Sequence, residues 1–304
     1  MNVEKILYDM LSYSAPIILC VLGGNFAHCA NVLNIALEGM MLAGAFISVL
    51  VVLLTGNVLL GVLAAVIATF VLGLIFSFFG ITRRGNVIIT GLAINLLAAS
   101  VSAFILKAMS LPNLNANSVA NVAGMKIHIP VVESIPFVGE VVSGHPLLTY
   151  VAFLGIAVMS VVMYRTRFGV YVRVVGENED AARSVGIKVD AIKYAAVLIG
   201  AVCCALAGAN MALEKMALFT NGMTAGIGFI AIAAIFCGRG RPGTTSVYAI
   251  AFGLAQSLAI NLNLSAGPAS GLFNTIPYFM IIGILTAVSI VQHKNNRVRG
   301  LIDG

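Results

Sequence analysis

Long apolar runs alternate with short polar stretches along the whole chain. Nine of these runs are close to the ~20 residues that a helix needs to cross about 30 Å of hydrocarbon. Charged residues collect between the runs, which predicts an all-α, polytopic membrane helix bundle of about eight to ten transmembrane helices. The runs cover residues 10–27, 36–54, 58–80, 86–109, 147–165, 193–213, 223–238, 244–264 and 273–291.

Composition supports a single transmembrane domain over residues 1–304. Hydrophobic residues make up 60% of the chain and charged residues 9%, whereas soluble domains carry about 25% charged residues. So few polar groups cannot cover a soluble surface, so lipid must be the solvent. The seventh run is short and rich in glycine, and we expect it to be re-entrant or broken.

The basic residues are placed for membrane topology. The net charge of +6 could suggest nucleic acid, but four basic groups alternate with the runs so that all fall on one side. The positive-inside rule makes that side cytoplasmic, together with the C-terminus. Nine full crossings place the N-terminus outside, and a re-entrant first segment would reverse it. The groups are Arg83 and Arg84; Arg165, Arg167, Arg173, Arg183, Lys188 and Lys193; Arg239 and Arg241; Lys294, Arg297 and Arg299.

Two longer polar stretches separate the runs. Residues 110–146 form a predicted external loop that contains IPVVESIPFVGEV at 129–141. Its two Ile-Pro steps favour extended backbone, because the residue before proline avoids the helical region. A lid, a platform for an external partner and a hairpin of only structural value all fit this loop.

Residues 166–192 form a predicted cytoplasmic loop with a compact helix signal. Asn178 suits the N-cap, Glu179 and Asp180 place acids in the first turn, and Gly186 is a natural stop. The pattern predicts about two turns of helix at the membrane surface. A docking element for another subunit and an ordinary connecting helix are both consistent with it.

Four polar residues within or next to the runs are candidates for lining a substrate path. Amides donate and accept hydrogen bonds without the desolvation cost of a full charge, which suits hydroxyl-rich solutes. Asn34 and Glu38 are four residues apart and share a helix face. The alternative is that these two cap broken helices or bond neighbouring backbones. The path candidates are Asn34, Glu38, Asn95 and Asn210.

Two of these amides suggest an internal repeat of spans 2–4 and 6–8. The segments 91–104 and 200–213 each bring one asparagine into a span rich in small residues. Repeats with the substrate path at their interface are common in transporters.

The pattern of reactive side chains argues against an enzyme. The five cysteines lack metal-ligand spacing, and the four histidines are not paired with Ser or Asp in a catalytic arrangement. GRGRPG at 238–243 lacks the Lys-Ser/Thr ending of a nucleotide-binding loop. We therefore expect no catalytic residue, metal or cofactor in this chain. Glu214 and Lys215 are expected to form a solvated pair at the external end of a span.

Five motifs in order resemble permease subunits of bacterial ABC importers. The resemblance is to the branch that groups branched-chain amino acid, ribose-type sugar and nucleoside permeases, and within it to the smaller permease of nucleoside importers. FAHCANVLN at 26–34 departs from this pattern, because it lacks the charged run that the family has there. The motifs are NVLNIALEGMMLAGAF (31–46), GNVIITGLAINLLA (85–98), IPVVESIPFVGEV (129–141), YVRVVGENEDAARSVGI (171–187) and GFIAIAAIFCGRGRPG (228–243).

The resemblance implies a subunit of an importer in the bacterial plasma membrane. Its partners would be a second homologous permease, an extracellular or lipid-anchored solute-binding protein, and a cytoplasmic ATPase that binds ATP-Mg. The solute would be a nucleoside. A ribose-type sugar importer and a proton-coupled secondary transporter that uses Glu38 are the alternatives. The implied ATPase-coupling residues are Gly176, Glu177, Asn178, Glu179, Asp180, Ala181, Ala182, Arg183 and Gly186.

Overall fold

The computed structural model describes residues 3–119, 126–127, 138–265, 273 and 275–302. Within them the chain is almost entirely helical, as predicted, with one two-stranded ribbon beside the helices. The helices are α1 (Val3–Cys29), α2 (Leu37–Thr55), α3 (Val58–Ser77), α4 (Val87–Ala108), α5 (Val138–Val142), α6 (Leu147–Arg165), α7 (Arg167–Glu177), α8 (Glu179–Ser184), α9 (Val189–Ala209), α10 (Ile227–Gly238), α11 (Pro242–Ser265) and α12 (Ile276–Ile302). π-helical turns extend α3 (Phe78–Thr82) and α9 (Asn210–Glu214), and the strands are β1 (Asn113–Asn115) and β2 (Leu218–Thr220).

The helices confirm a polytopic membrane bundle. Seven of them are long and apolar enough to cross a membrane, namely α1, α2, α3, α4, α6, α9 and α11. Two shorter apolar stretches, Ile227–Gly238 and Ile276–Val288, account for the remaining predicted runs. The protein is therefore a multi-pass membrane protein, and each of the nine runs corresponds to a helix.

The bundle has two distinct ends. At the first, which we call the basic end, the Cys29 thiol donates to the Gly240 carbonyl at 3.4 Å and the hydroxyls of Thr82 and Tyr194 lie 2.5 Å apart. At the opposite end, which we call the loop end, the Tyr8 hydroxyl donates to a carbonyl of the 110–146 segment at 2.7 Å. Helix α1 thus runs through the whole bundle, from the loop end at Tyr8 to the basic end at Cys29, so the first segment is not re-entrant.

Three of the four basic groups lie at the basic end, as predicted from their alternation with the runs. The first group follows α3, the second surrounds α7 and α8, and the third joins α10 to α11. The side chains of the fourth group lie outside the described ones.

Small residues let the central helices approach closely. Helix α9 packs against α1, α2 and α3, and α11 packs along α1. A Cβ on Gly44 would lie 2.8 Å from the Cα of Ala205, so α2 and α9 touch backbone to backbone. The outer helices α3, α4 and α6 instead expose apolar side chains such as Ile67, Leu96 and Leu154.

The ribbon connects the two helices that precede its strands. β1 follows α4 and β2 follows α9, and they pair antiparallel with Leu114 opposite Phe219. Both of these side chains are fully buried, and the Phe219 ring packs edge-on against Phe46 with centroids 5.1 Å apart. The internal repeat of spans 2–4 and 6–8 stays a prediction, because it would pair α4 with α11 and not with α9.

The described parts of the 110–146 loop pack down onto the bundle. His145 stacks on the Tyr8 ring with centroids 4.0 Å apart and forms a β-bridge with Ile127. Residues 128–137, which hold most of the IPVVESIPFVGEV motif, lie outside the described residues. The external role of this loop therefore stays a prediction.

Candidate functional site

One carboxylate joins the starts of two helices inside the bundle. Glu38 lies in the first turn of α2 and accepts three hydrogen bonds from the segment that opens α10. Thr224 Oγ1 donates to Oε1 at 2.6 Å, the Gly226 amide to Oε1 at 3.0 Å, and the Gly228 amide to Oε2 at 2.6 Å. Helix N-termini carry unpaired N–H groups and partial positive charge. Glu38 therefore supplies both the cap and the counter-charge for α10.

Two asparagines secure the start of α2. Asn95 on α4 accepts from the Gly39 amide at 2.7 Å and donates to the Ile35 carbonyl at 3.0 Å. Asn34 accepts from the Ala36 amide at 3.0 Å through Oδ1. Its buried Nδ2 has no hydrogen-bond partner among the described residues. The contacts of Asn34 and Glu38 are those of the structural alternative, in which these residues hold a broken helix together.

The break lies deep in the bundle. Helix α10 has 12 residues and extends only about 18 Å, at 1.5 Å per residue, from Glu38 to the basic end. In the other direction, Glu38 lies about 26 Å from the end of α2 at Thr55. A Cβ on Gly228 would lie 2.5 Å from the Cα of Glu38, so the two helix starts meet only because residue 228 is glycine. The predicted break in the seventh run is confirmed.

Asn210, the fourth path candidate, belongs to a different junction. It opens the π-helical turn after α9, and its Nδ2 donates to Thr149 Oγ1 at 3.2 Å and to Glu214 Oε2 at 3.0 Å. Both Glu214 oxygens accept from the Leu148 amide, at 3.1 and 3.0 Å, in the first turn of α6. This cluster caps α6 near the loop end, apart from the contacts that secure the break.

The expected solvated Glu214–Lys215 pair is wrong. Both side chains are half-buried, and Lys215 donates to the Ser12 carbonyl on α1 and lies over the Tyr13 ring at 5.3 Å. The reason is that the first turn of α6 and the N-terminal half of α1 lie close to the π-helical turn and provide partners for the two charges. The i, i+4 spacing of Asn210 and Glu214 was the available signal, because it places both on one helix face.

Lys215 is expected to make stability depend on pH. Burial lowers its pKa from the ordinary 10.5 to about 7, against the opposing effect of the Glu214 and Asp9 carboxylates. Between about pH 7 and 10 the unfolded chain then binds more protons than the folded protein, so stability rises with pH. Circular dichroism in detergent should show an unfolding temperature that increases from about pH 7 to 9, and Lys215→Met should remove this increase. The exposed Lys107→Met is the control; equal pH profiles for wild type and Lys215→Met would contradict the assignment.

The predicted surface helix is confirmed as α8. Asn178 caps it by accepting from the Ala181 amide at 3.0 Å, and the chain leaves it at Gly186 with φ of 83°. Ala182 is its buried anchor. Glu179 forms an ion pair with Lys193 on α9, and Arg183 approaches Asp190 at 3.6 Å. Two ion pairs and one apolar contact thus attach α8 to the start of α9.

Helix α7, which precedes α8, was not predicted. It buries Val172 and Val175 and exposes Val170 and Tyr171. The three- and four-residue spacing of its apolar residues was the missed signal. A Cβ on Gly176 would overlap the carbonyl oxygen of Cys29, so α7 rests directly on the end of α1. The surface helices are therefore in backbone contact with the chain just before it turns back toward α2.

The reactive side chains do not assemble a centre in the part of the chain that the structure describes. No group of three or more His, Cys, Asp or Glu there could hold a metal ion. The five cysteines are free thiols, four of them buried. The polar chemistry of the site is that of helix caps and surface ion pairs.

Comparison with known families decides the class of protein. The family described as the permease component of the branched-chain amino acid transport system matches residues 6–285. The chain belongs to this permease family. Membership is consistent with the deep helix break and the surface helix, and it places the protein among the membrane subunits of ABC transporters, which work with an ATPase and a binding protein.

Relatives that are named for the solutes they transport match most of the chain. The guanosine ABC transporter permease protein NupQ of Bacillus subtilis (strain 168) is 34% identical over 92% of this chain and 89% of its own length. The nucleoside ABC transporter permease protein NupC of Lactococcus lactis subsp. cremoris (strain MG1363) is 30% identical over 85% and 83%. The glucose ABC transporter permease protein TsgB13 of Haloferax volcanii is 25% identical over 95% and 78%.

Proposed function

We propose that this chain is one of two homologous permeases in an ATP-driven importer of nucleosides. The observation that carries the proposal is the similarity over most of the chain to permeases named for guanosine and nucleoside transport. A binding protein would deliver the solute outside, and an ATPase that binds ATP-Mg would power transport from the cytoplasm. This permease itself would catalyse no reaction and hold no cofactor.

The orientation that we propose follows from charge. The basic end would be cytoplasmic by the positive-inside rule, and the loop end would be external. Residues 166–192 would then be the coupling loop and residues 110–146 the external loop, with the C-terminus in the cytoplasm. The N-terminus would lie outside, since α1 starts at the loop end.

The coupling residues would form a lever that the ATPase moves. Glu177, Asn178, Asp180, Ala181, Arg183 and Gly186 are exposed and available to a partner. Gly176 and Ala182 face inward and attach the lever to the bundle, and Glu179 does so through its ion pair with Lys193. Such a lever needs one face that contacts the ATPase and another that contacts the transmembrane bundle, and α7 and α8 together have both.

The path candidates would act mainly by shaping the path. Asn34, Glu38 and Asn95 hold the helix break, and Asn210 holds the junction of α9 with α6. Discontinuous helices at membrane depth commonly border the solute route in transporters. Replacing Asn95 by alanine should therefore alter uptake even though its polar atoms are bonded to backbone.

A simple-sugar importer is the second candidate. Its support is that a glucose permease and a putative glucose permease are among the relatives, and the putative one is as similar to the chain, at 30% identity, as the nucleoside permease NupC. Proton-coupled transport through Glu38 is disfavoured, since that carboxylate is committed to three donors.

Reconstitution tests the proposal. The purified chain alone in liposomes should transport nothing, whereas the complete set of two permeases, ATPase and binding protein should accumulate guanosine in an ATP-dependent manner. Excess unlabelled adenosine should compete and excess glucose should not. Competition by glucose but not by adenosine would favour the sugar importer. Uphill uptake by the isolated chain would refute the hypothesis that it is a subunit of an ATP-driven importer.

The lever is tested by changes on its outer face. We expect Glu177→Ala with Asp180→Ala to reduce transport-coupled ATP hydrolysis about tenfold or more, because the exposed face that meets the motor is altered while Ala182 stays buried and both ion pairs of α8 are kept. Co-purification of the ATPase and circular dichroism of the permease are the measurements. Glu140→Ala, exposed at the loop end, is the control; normal coupling in the double variant would contradict the docking role.

A further inference from the structure

Irregular backbone is exposed at membrane depth where α10 begins. Asn221, Gly222 and Ala225 are exposed, and Gly222, Ala225 and Gly226 have positive φ of 70°, 44° and 83°. The Glu38 contacts place this segment about 18 Å from the basic end. Non-helical backbone cannot face hydrocarbon, because its N–H and C=O groups would lack partners. This face of the subunit therefore borders water or protein and not lipid.

Two aromatic rings flank the same backbone. The Tyr278 hydroxyl donates to the Ala225 carbonyl at 3.0 Å. A Cβ on Gly226 would lie 3.8 Å from Tyr278 Oη and 4.0 Å from Phe229 Cδ2, so both side chains border Gly226. Tyr278 is 50% exposed and Phe229 46% exposed. Large aromatic surface is thus presented on the face that avoids lipid.

This face is uncharged and firmly held. Residues 221–238 contain no Asp, Glu, Lys, Arg or His. Glu38 accepts hydrogen bonds from Thr224, Gly226 and Gly228 and so fixes the backbone that the two aromatic rings border. A neutral, planar, polarisable group is the chemistry that complements two exposed rings, because aromatic stacking tolerates any π-face and needs no charge.

We propose that Phe229 and Tyr278 form an aromatic selectivity site that contacts the base of a nucleoside on its way through the importer. The assignment rests on the proposed function and goes further by naming the part of the solute that is recognised and the residues that recognise it. Asn221 is exposed on the same segment, and an amide is suited to the sugar hydroxyls because it both donates and accepts hydrogen bonds. Base-stacking energies correspond to roughly a tenfold effect when one ring is lost.

The test uses the complete importer in proteoliposomes with saturating binding protein. Phe229→Leu and Tyr278→Leu should each lower the maximal guanosine uptake rate about tenfold, with uridine affected less because its base is smaller. Phe229→Tyr and Tyr278→Phe keep the rings and should transport at close to the wild-type rate. Phe279→Leu is the control, since Phe279 neighbours Tyr278 and is 71% exposed.

Each other outcome overturns a specific part of the argument. Wild-type guanosine uptake in both leucine variants would remove the aromatic site and leave the nucleoside importer standing. Equal losses in the leucine and ring-keeping variants would also remove it, because the ring would not be what matters. Loss of the second permease on purification of Phe229→Leu would reassign the face to subunit contact. A wild-type importer that takes up ribose and no nucleoside would end both proposals.

Discussion

Replacing Glu38 by alanine is expected to lower the unfolding temperature by on the order of 10 °C and to abolish assembly of the importer. Three donors would lose their acceptor, and hydrogen bonds to a charged group contribute roughly 1.5–3 kcal/mol each. A protein of this size loses about 2–4 °C per kcal/mol. The loss is aggravated because water is scarce at membrane depth.

A graded series separates capping from proton coupling. Thr224→Val removes one donor at nearly constant volume and should cost a fraction of the alanine effect. Glu38→Gln keeps one acceptor oxygen and places an NH₂ against N–H donors, so its loss should be intermediate. Unfolding of each variant in detergent orders the series, with Glu140→Ala as the exposed control. A stable Glu38→Gln protein that loses only pH-driven uptake would speak for proton coupling.

Substituting alanine for Gly176 should uncouple ATP hydrolysis from transport. The added methyl group would occupy the position of the Cys29 carbonyl oxygen, so α7 must move away from the end of α1. The helices α7 and α8 would still fold, but α7 would no longer contact the end of α1 closely enough to transmit movement to the bundle. We expect the maximal uptake rate to fall more than tenfold while the ATPase still binds.

Gly243→Ala is the matched control for Gly176→Ala. Gly243 lies at the same end in the first turn of α11, and a Cβ there would meet nothing within 4 Å. Alanine is favoured over glycine in helices by about 0.5–1 kcal/mol, so this variant should be neutral or slightly more stable. Equal uptake by the two alanine variants would show that the contact between α7 and α1 does not transmit motion.

Local sequence signals predicted local structure well. The surface helix was placed within one residue of its start because Asn178, two acids and Gly186 all lie within nine residues of chain. The nine apolar runs also correspond to helices, because a long apolar stretch is itself a local signal for a membrane helix. The short tenth helix was anticipated from its glycines.

Contacts between distant segments could not be derived in this way. Glu38 was recognised as unusual, but its partners Thr224, Gly226 and Gly228 come almost two hundred residues later and carry no polar pattern that points back to it. The roles of Glu214 and Lys215 were missed because the groups that surround them belong to α1 and α6. Helix α7 was missed because its apolar face is short and lies beside a charged loop.

The Glu38 bond to Gly226 spans 188 positions of the chain, which has a consequence for biosynthesis. During synthesis, α2 enters the bilayer with its carboxylate long before α10 exists. An unpaired charge is costly at that depth. The nascent N-terminal part must therefore be sheltered from lipid until about three quarters of the polypeptide has been made. The contact between α2 and α10 can therefore form only after the last third of the chain has begun to be synthesised.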